Sequence, residues 1–340
     1  MKAAILREFG KDLVLDDVEV PKAGPEDALI KVRACGLCRS DLKVRDGVIG
    51  SRKLPMILGH EPAGDIVEVG TEVKNVNVGD RVTVNIHIPC QNCYYCRTGM
   101  ETLCENLEVL GFTTNGAFAE YLKIPARNVI RLPNEISYQE GAIIADAVAS
   151  PYHALIDKAK VGLGETVVIQ GVGGLGLSTV QIAKASGAKV IAVDIDYRKL
   201  ELAKKLGADE VVDTNKSDLE KEVKRLTDGK GAQVHIELVG IPSTIERGLN
   251  GLRSGGRFVI VGYSPEKFSA YPAVFVWKEL EIIGANGNTR QNILDVIELA
   301  RLGKIKPKLI VTDTFQLNEI NHALEMLKAG RIEGRAVMTI

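Results

Sequence analysis

The chain has 340 residues, which corresponds to about two domains, each long enough to bury its own hydrophobic core. Its 43 basic and 44 acidic residues leave a net charge of −1, so no overall charge draws it to nucleic acid or to an anionic membrane. The amino terminus has no apolar run long enough for a secretion signal, and we therefore expect a cytoplasmic protein with reduced thiols.

Residues 1 to about 150 consist of short β-rich runs separated by Gly and Pro. Apolar and polar residues alternate in "ALIKVRA" (28–34), "GDIVEVG" (64–70) and "DRVTVNI" (80–86). Such alternation is typical of strands with one buried face. The pattern predicts an irregular antiparallel barrel or sandwich.

Potential metal ligands are spread over this β-rich half. Cys38, His60 and Asp146 offer one sulfur, one nitrogen and one oxygen, a set that can hold zinc with a fourth position open. Glu61, beside His60, is a candidate to complete the ligand set or to polarise it from behind. Each residue also has a purely structural explanation; Asp146, for example, suits the start of a helix.

Four of the six cysteines lie between residues 90 and 104, a segment called the cysteine loop below. They are Cys90, Cys93, Cys96 and Cys104. Four thiolates from one loop can close a tetrahedral zinc shell, and a closed shell stabilises a fold but has no position for a substrate. An iron–sulfur cluster is the main alternative, because ferredoxins also use closely spaced cysteines. A disulfide would need an oxidising compartment.

From about residue 165 the pattern changes to apolar strands that alternate with helical segments. The six strands are "TVVIQG", "KVIAVD", "DEVVD", "QVHIELVG", "GRFVIVG" and "LEIIGA". Apolar strands that alternate with helices predict an α/β fold with a doubly wound parallel sheet buried on both faces. The stretch after about 286 contains two helical segments and a closing strand, "GRAVMTI".

A glycine-rich turn follows the first of these strands. Gly171, Gly173 and Gly176 form G-x-G-x-x-G between a strand and a helix, where a backbone without side chains can approach a pyrophosphate. Asp194 ends the next strand, where a carboxylate binds ribose hydroxyls and repels a 2′-phosphate, although it could also be a capping residue. These residues predict a Rossmann domain that binds NAD. NADP stays possible, because Arg198 and Lys199 follow closely.

The sequence "LGHEPAGDIVEVGTEV" (58–73) resembles the signature of zinc-containing medium-chain alcohol dehydrogenases. The matching positions are Gly59, His60, Glu61, Gly64, Gly70 and Val73. "GLCRSD" (36–41) is similar to the catalytic-cysteine turn of that family, and the cysteine loop resembles its structural zinc lobe. The resemblance covers the whole chain and is strongest to thermophilic, archaeal-type members. It implies a β-rich, GroES-like catalytic domain (1–150, completed by 286–340) that is interrupted by a Rossmann domain (151–285).

The resemblance also implies roles for individual residues. Two zinc ions per chain are expected: a structural ion in the cysteine loop and a catalytic ion on Cys38, His60 and Asp146, with Glu61 as an alternate ligand. Many members of the family have Cys in place of Asp146. Ser40 matches the hydroxyl that takes the substrate proton, and the relay position three residues later, often His, is Lys43. The residues expected to contact the cofactor are Arg39, Gly171, Gly173, Gly174, Leu175, Gly176, Asp194, Arg198 and Arg335.

The activity implied by the resemblance is reversible hydride transfer between an alcohol and NAD, with an aldehyde or ketone as product. A polyol, sugar or threonine-type dehydrogenase of the same family is the first alternative. A zinc-independent enoyl or quinone reductase and a non-catalytic dinucleotide sensor are further ones, but the reductases typically lack both cysteine sets and the His–Glu pair that this chain has. We expect a small-molecule substrate, no nucleic-acid or membrane partner, and a homotetramer, with a dimer as second choice, because the apolar strand "LEIIGA" ends the sheet.

Overall fold

The computed structural model of the chain describes residues 1–50 and 53–340. These residues divide into two units, and the chain passes between them more than once. The first unit contains residues 1–149, 288–303 and 307–340. The second contains residues 150–287 and 304–306.

The described residues form eighteen strands and eleven α-helices. The strands are β1 (Lys2–Leu6), β2 (Val14–Asp17), β3 (Asp27–Leu37), β4 (Met56–Ile57), β5 (Glu61–Val69), β6 (Arg81–Val84), β7 (His87–Ile88), β8 (Glu108–Val109), β9 (Tyr121–Pro125), β10 (Val129–Arg131), β11 (Thr166–Gln170), β12 (Lys189–Asp194), β13 (Glu210–Asp213), β14 (Ala232–Glu237), β15 (Leu252–Ile260), β16 (Glu281–Gly284), β17 (Val311–Gln316) and β18 (Arg335–Thr339). The helices are α1 (Arg39–Arg45), α2 (Tyr94–Arg97), α3 (Tyr138–Ile143), α4 (Ala149–Tyr152), α5 (Gly174–Ala185), α6 (Tyr197–Lys205), α7 (Leu219–Leu226), α8 (Pro242–Asn250), α9 (Pro272–Lys278), α10 (Arg290–Arg301) and α11 (Ile320–Lys328). No helix in this described part of the chain is long and apolar enough to cross a bilayer.

The first unit is built on a curved sheet of seven strands. Its order is β10-β6-β5-β3-β18-β17, and β9 pairs with the amino-terminal half of β3. β3 is the longest strand and pairs antiparallel with β5, β9 and β18, so three different parts of the chain meet on it. Ile30 and Ile66 of this sheet are at most 1 % exposed and, with Phe118 from the segment before β9, belong to the core of the unit. The prediction of a β-rich, GroES-like domain is confirmed.

The second unit is a parallel sheet of six strands with the order β13-β12-β11-β14-β15-β16. The central strands β11, β12 and β14 are almost entirely buried, as expected when helices cover both faces of a sheet. The order reverses between β11 and β14, and ligands of such sheets bind beyond the strand ends at this point. The predicted doubly wound sheet is therefore confirmed, with "LEIIGA" as its edge strand β16.

The carboxyl-terminal segment completes the first unit. β18 pairs antiparallel with β3 along Ala336–Thr339. β17 in turn pairs with β18 in parallel. The predicted helices α10 and α11 and the closing strand β18 are present, whereas β17 was not predicted. Its residues alternate between half-buried and exposed, so the pattern of a strand is there but the apolar face is weak.

Candidate active site

The four sulfur atoms of the cysteine loop lie around one point. The Sγ atoms of Cys93 and Cys96 are 3.5 Å apart, and those of Cys90 and Cys96 are 3.9 Å apart. A tetrahedron with zinc–sulfur bonds of about 2.3 Å has edges of about 3.8 Å. All four cysteines are free rather than disulfide-bonded. The spacing therefore fits a single four-coordinate ion such as zinc, and not an iron–sulfur cluster whose cysteines attach to separate irons.

The protonation of these thiols also favours a cation. Backbone N–H groups of Cys96 and Glu105 lower the pKa of Cys93 to about 6. Burial and the neighbouring sulfurs of Cys93 and Cys104 raise the pKa of Cys96 to about 12. Cys96 therefore becomes a thiolate at neutral pH only if a positive charge lies beside it. A divalent ion supplies that charge, as it does in four-cysteine zinc sites.

A second cluster brings Cys38, His60, Glu61 and Asp146 together, with one ligand atom of each within 4.8 Å of the others. Cys38 lies between β3 and α1, and His60 and Glu61 lie at the start of β5. Because β3 and β5 are neighbouring strands, their ends place these side chains side by side. The first three are at most 5 % exposed, and Asp146 is half-buried.

The contacts of the two ring nitrogens of His60 are those of a metal ligand. Nδ1 is 2.9 Å from Oδ1 of Asp41, while Nε2 is 3.7 Å from Glu61 Oε1 and 3.6 Å from Asp146 Oδ2. The last two distances are too long for a hydrogen bond, and within the described chain Nε2 has no hydrogen-bond partner. A buried ring nitrogen without a partner, surrounded by sulfur and carboxylate oxygen, fits a zinc ligand.

Asp41 supports the cluster although it is not a ligand. Its carboxylate is fully buried; one oxygen faces His60 and the other accepts a hydrogen bond of 2.8 Å from the backbone N–H of Cys38. A carboxylate on the second nitrogen of a ligating histidine fixes its tautomer and ring orientation. Asp41 therefore fixes two of the potential ligands, Cys38 and His60, relative to each other. Sequence reasoning missed this residue, although it ends the quoted motif "GLCRSD".

Arg335 provides positive charge at the same place. Its guanidinium contacts the Glu61 carboxylate through Nη2, and its Nε lies 3.3 Å from Glu61 Oε2. Burial raises the pKa of the Cys38 thiol, but the charges of Arg335 and His60 lower it, and the balance lowers that pKa to about 7. A substantial thiolate fraction at neutral pH suits a metal ligand.

Asp146 belongs to a distorted part of a helix. Residues 144–148 wind as a π-helix between α3 and α4, a widening that often marks functional sites. The side chain of Asn288, itself fully buried, donates a hydrogen bond of 3.2 Å to the carbonyl of Ala145 and so fixes the peptide next to Asp146. The ring of Phe112 packs edge-on against His60, with ring centroids 4.8 Å apart. An apolar wall therefore borders the cluster.

The glycine-rich turn of the second unit has the geometry of a dinucleotide site. Gly173 is the N-cap of α5. Because glycine has no side chain, the first N–H groups of the helix receive no capping hydrogen bond from it. A Cβ at Gly173 would meet no atom within 4 Å, so glycine here leaves open space at the helix amino terminus instead of relieving a clash. Free N–H groups beside open space suit a pyrophosphate.

Asp194 stands at the end of β12 and supports the same turn. Its Oδ2 accepts a hydrogen bond of 2.8 Å from the N–H of Val172, and its Oδ1 accepts bonds from the N–H groups of Ile195 and Asp196. Arg198 is exposed, and its guanidinium pairs with Asp196 at 2.8 Å. The charge of Arg198 is thus already partly neutralised, which favours an unphosphorylated ribose.

Family models match both parts of the chain. The model of the alcohol dehydrogenase GroES-like domain matches residues 24–134, and that of the zinc-binding dehydrogenases matches residues 174–301. An alcohol dehydrogenase from Geobacillus stearothermophilus is 38 % identical over 100 % of both chains. The chain belongs to the zinc-binding, medium-chain alcohol dehydrogenase family.

Two further relatives show the range of this family. An NAD-dependent alcohol dehydrogenase from Sulfurisphaera tokodaii is 37 % identical over 99 % of each chain, and an L-threonine 3-dehydrogenase from Pyrococcus abyssi is 37 % identical over 95 % of this chain and 93 % of its own. The crystal structure of an alcohol dehydrogenase from Aeropyrum pernix superimposes with a TM-score of 0.93 over 100 % of both chains, at 36 % identity. The resemblance seen in the sequence is confirmed.

The other residues expected at the site of a dehydrogenase lie in different surroundings. Ser40 is half-buried and Arg39 exposed, both at the start of α1. Gly174 and Leu175 form the first turn of α5 and are half-buried. Arg335, expected at the pyrophosphate, is 5 % exposed and faces Glu61.

Proposed function

We propose that the chain is a zinc-dependent alcohol dehydrogenase that interconverts an alcohol and an aldehyde or ketone with NAD. One observation carries the proposal: the buried Nε2 of His60, held from behind by Asp41, lies among Cys38, Asp146 and Glu61 without a hydrogen-bond partner in the described chain. A three-ligand set with a further position open is the arrangement of catalytic zinc sites.

The roles of the chain's residues follow from their contacts. Cys38, His60 and Asp146 would hold the catalytic ion, and Glu61, paired with Arg335, would serve as the alternate ligand. A zinc ion there supplies Lewis-acid stabilisation of the negative charge that develops on the substrate oxygen. The half-buried Ser40 hydroxyl would receive the substrate proton and pass it outward along α1, where Lys43 is one turn further on. NAD supplies the hydride acceptor.

The substrate class is an alcohol with an apolar substituent. The ring of Phe112 lies against His60, so an apolar side chain borders the cluster. The threonine dehydrogenases among the relatives make L-threonine the alternative to test. A panel of primary and secondary alcohols, polyols and L-threonine, assayed with both cofactors, separates these substrate classes.

Replacement of His60 tests the proposed reaction. His60→Ala removes one ligand of the open site, so metal retention should fall from about two zinc ions per chain to about one. Alcohol oxidation should fall by orders of magnitude, because a Lewis-acid contribution of several kcal/mol is lost. NADH binding, measured by fluorescence, should persist.

His322→Ala is the matched control, because this exposed histidine of α11 belongs to neither cluster. It should keep both the zinc content and the activity of the wild type. Full activity of His60→Ala at half the zinc content would show that the reaction needs no metal, and a zinc-independent reductase would replace the present proposal.

The cysteine loop is proposed to hold the structural zinc ion. Cys93→Ser should lower the melting temperature, because a closed metal site contributes to folding, while the folded molecules keep their specific activity. Calorimetry, zinc analysis and activity per folded molecule measure these effects. An unchanged melting temperature would refute the structural assignment. The thiolates of this loop also agree with a reducing, cytoplasmic location.

Cofactor preference is proposed to depend on Asp194. The double substitution Asp194→Gly, Ile195→Arg removes the carboxylate that repels a 2′-phosphate and adds a cation beside it, so kcat/KM should shift from NAD toward NADP. Asp213→Asn is the matched control: Asp213 is the neighbour of Asp194 in β13, and its loss should leave the preference unchanged. A wild-type protein that already prefers NADP would contradict the role given to Asp194.

The assembly is proposed to be a homotetramer, with a dimer as second choice. β16 is an edge strand. Before it, Tyr271, the N-cap of α9, and Val276 and Trp277 within α9 are exposed by 82 %, 72 % and 82 %. An apolar edge of this kind normally has a partner.

Light scattering at micromolar concentration should give the mass of a tetramer. Trp277→Glu should reduce the mass, because it places a charge in the apolar surface. Leu163→Glu should leave it unchanged, because Leu163 is as exposed, at 88 %, but lies far from α9 in the sequence, before β11. A wild-type monomer would rule out both assemblies.

A further inference from the structure

Glu237 is a fully buried carboxylate that none of the roles above uses. It ends β14, which lies beside β11 at the point where the strand order of the parallel sheet reverses. Ligands of such sheets bind beyond the strand ends at this point. A carboxylate without solvent there is costly unless donors surround it, so its contacts are informative.

The donors to Glu237 come from the loop that follows it and from the first turn of α8. Oε1 accepts hydrogen bonds of 3.1 Å from the N–H of Val239 and 2.7 Å from the hydroxyl of Thr244, and the N–H of Gly240 lies 3.0 Å and 2.9 Å from the two oxygens. Burial raises the pKa of Glu237, and these donors oppose that shift. The carboxylate thus fixes both the loop 238–241 and the first turn of α8.

This loop in turn contacts the glycine-rich turn. Gly171 has a φ of 92°, and a Cβ there would lie 2.8 Å from Cγ2 of Val239. The Val239 side chain therefore packs directly against the first glycine of the G-x-G-x-x-G motif, while the N–H of Leu238 bonds to the carbonyl of Gln170. Gly240, with a φ of 80°, lies against the backbone of Tyr263, because a Cβ there would come within 2.1 Å of the Tyr263 nitrogen.

We propose that Glu237 is a positioning residue for the dinucleotide: through Val239 it holds the glycine-rich turn in the conformation that receives the pyrophosphate. The proposal rests on NAD binding by this chain, as given in the proposed function. A ligand that must approach the backbone closely depends on the position of that backbone. Loss of the Glu237 bonds should then weaken cofactor binding without a change at the metal sites.

The test compares Glu237→Gln and Thr244→Val with the wild type. The glutamine amide places a donor opposite the N–H of Gly240, so the Kd for NADH should rise about tenfold, the effect of one strong hydrogen bond. Thr244→Val removes one donor and keeps the side-chain shape, so it should raise Kd less. The zinc content should stay that of the wild type, and KM for NAD should change more than kcat.

Thr227→Val is the matched control at the opposite end of the same strand. The Thr227 hydroxyl accepts a hydrogen bond of 2.9 Å from the N–H of Gly231, just before β14, and donates to the carbonyl of Val223. Its loss should lower the melting temperature and leave the Kd for NADH unchanged. A Glu237→Gln protein with a lower melting temperature but an unchanged Kd would overturn the inference, as would an equal rise of Kd in Thr227→Val. A wild type that binds no NADH would instead overturn the proposed function.

Discussion

The removal of charged side chains from water is the constraint on which the first unit depends. The carboxylates of Asp41 and Glu61 and the guanidinium of Arg335 are at most 5 % exposed, and an isolated buried charge costs several kcal/mol. Each therefore has a partner: Asp41 faces Nδ1 of His60 and accepts from the N–H of Cys38, and Glu61 pairs with Arg335. Arg335 comes from β18, near the end of the chain, so the carboxyl-terminal segment is required for the charge balance of residues that lie 274 positions earlier.

The second unit also buries a charged side chain, but it is stabilised by hydrogen bonds instead of an ion pair. Glu237 forms no ion pair within the described residues and accepts hydrogen bonds from the N–H groups of Val239 and Gly240 and the hydroxyl of Thr244. Dipolar donors can offset burial only if the backbone that carries them is fixed. The buried carboxylate and the rigid loop thus depend on each other. This mutual dependence is the basis of the proposal that Glu237 positions the turn at Gly171.

The elements that follow from local pattern were predictable from the sequence. Strands buried on both faces, such as β11 and β12, are continuous apolar runs, and metal ligands have recognisable chemistry and spacing. β17 was missed because only one face is partly covered, and four of its six residues are Thr, Asp or Gln. The partnership of Asp41 with His60 depends on the meeting of α1 with the start of β5, which no local pattern encodes. The role of Glu237 depends in the same way on β14 lying beside β11.

The two candidate metal sites differ in charge as well as in geometry. Four thiolates around a divalent ion leave a net charge of about −2, and three of the four cysteines of that loop are only half-buried, so water can stabilise the charge. In the second cluster, Glu61 is neutralised by Arg335, and one thiolate, one carboxylate and a neutral imidazole balance a divalent ion completely. A neutral shell can be buried at low cost. A metal ion in a neutral shell also attracts an electron pair from a further ligand more strongly than one in an anionic shell. The choice of ligands therefore supports the proposal that the cysteine loop stabilises the fold and that the buried cluster carries the Lewis-acid chemistry.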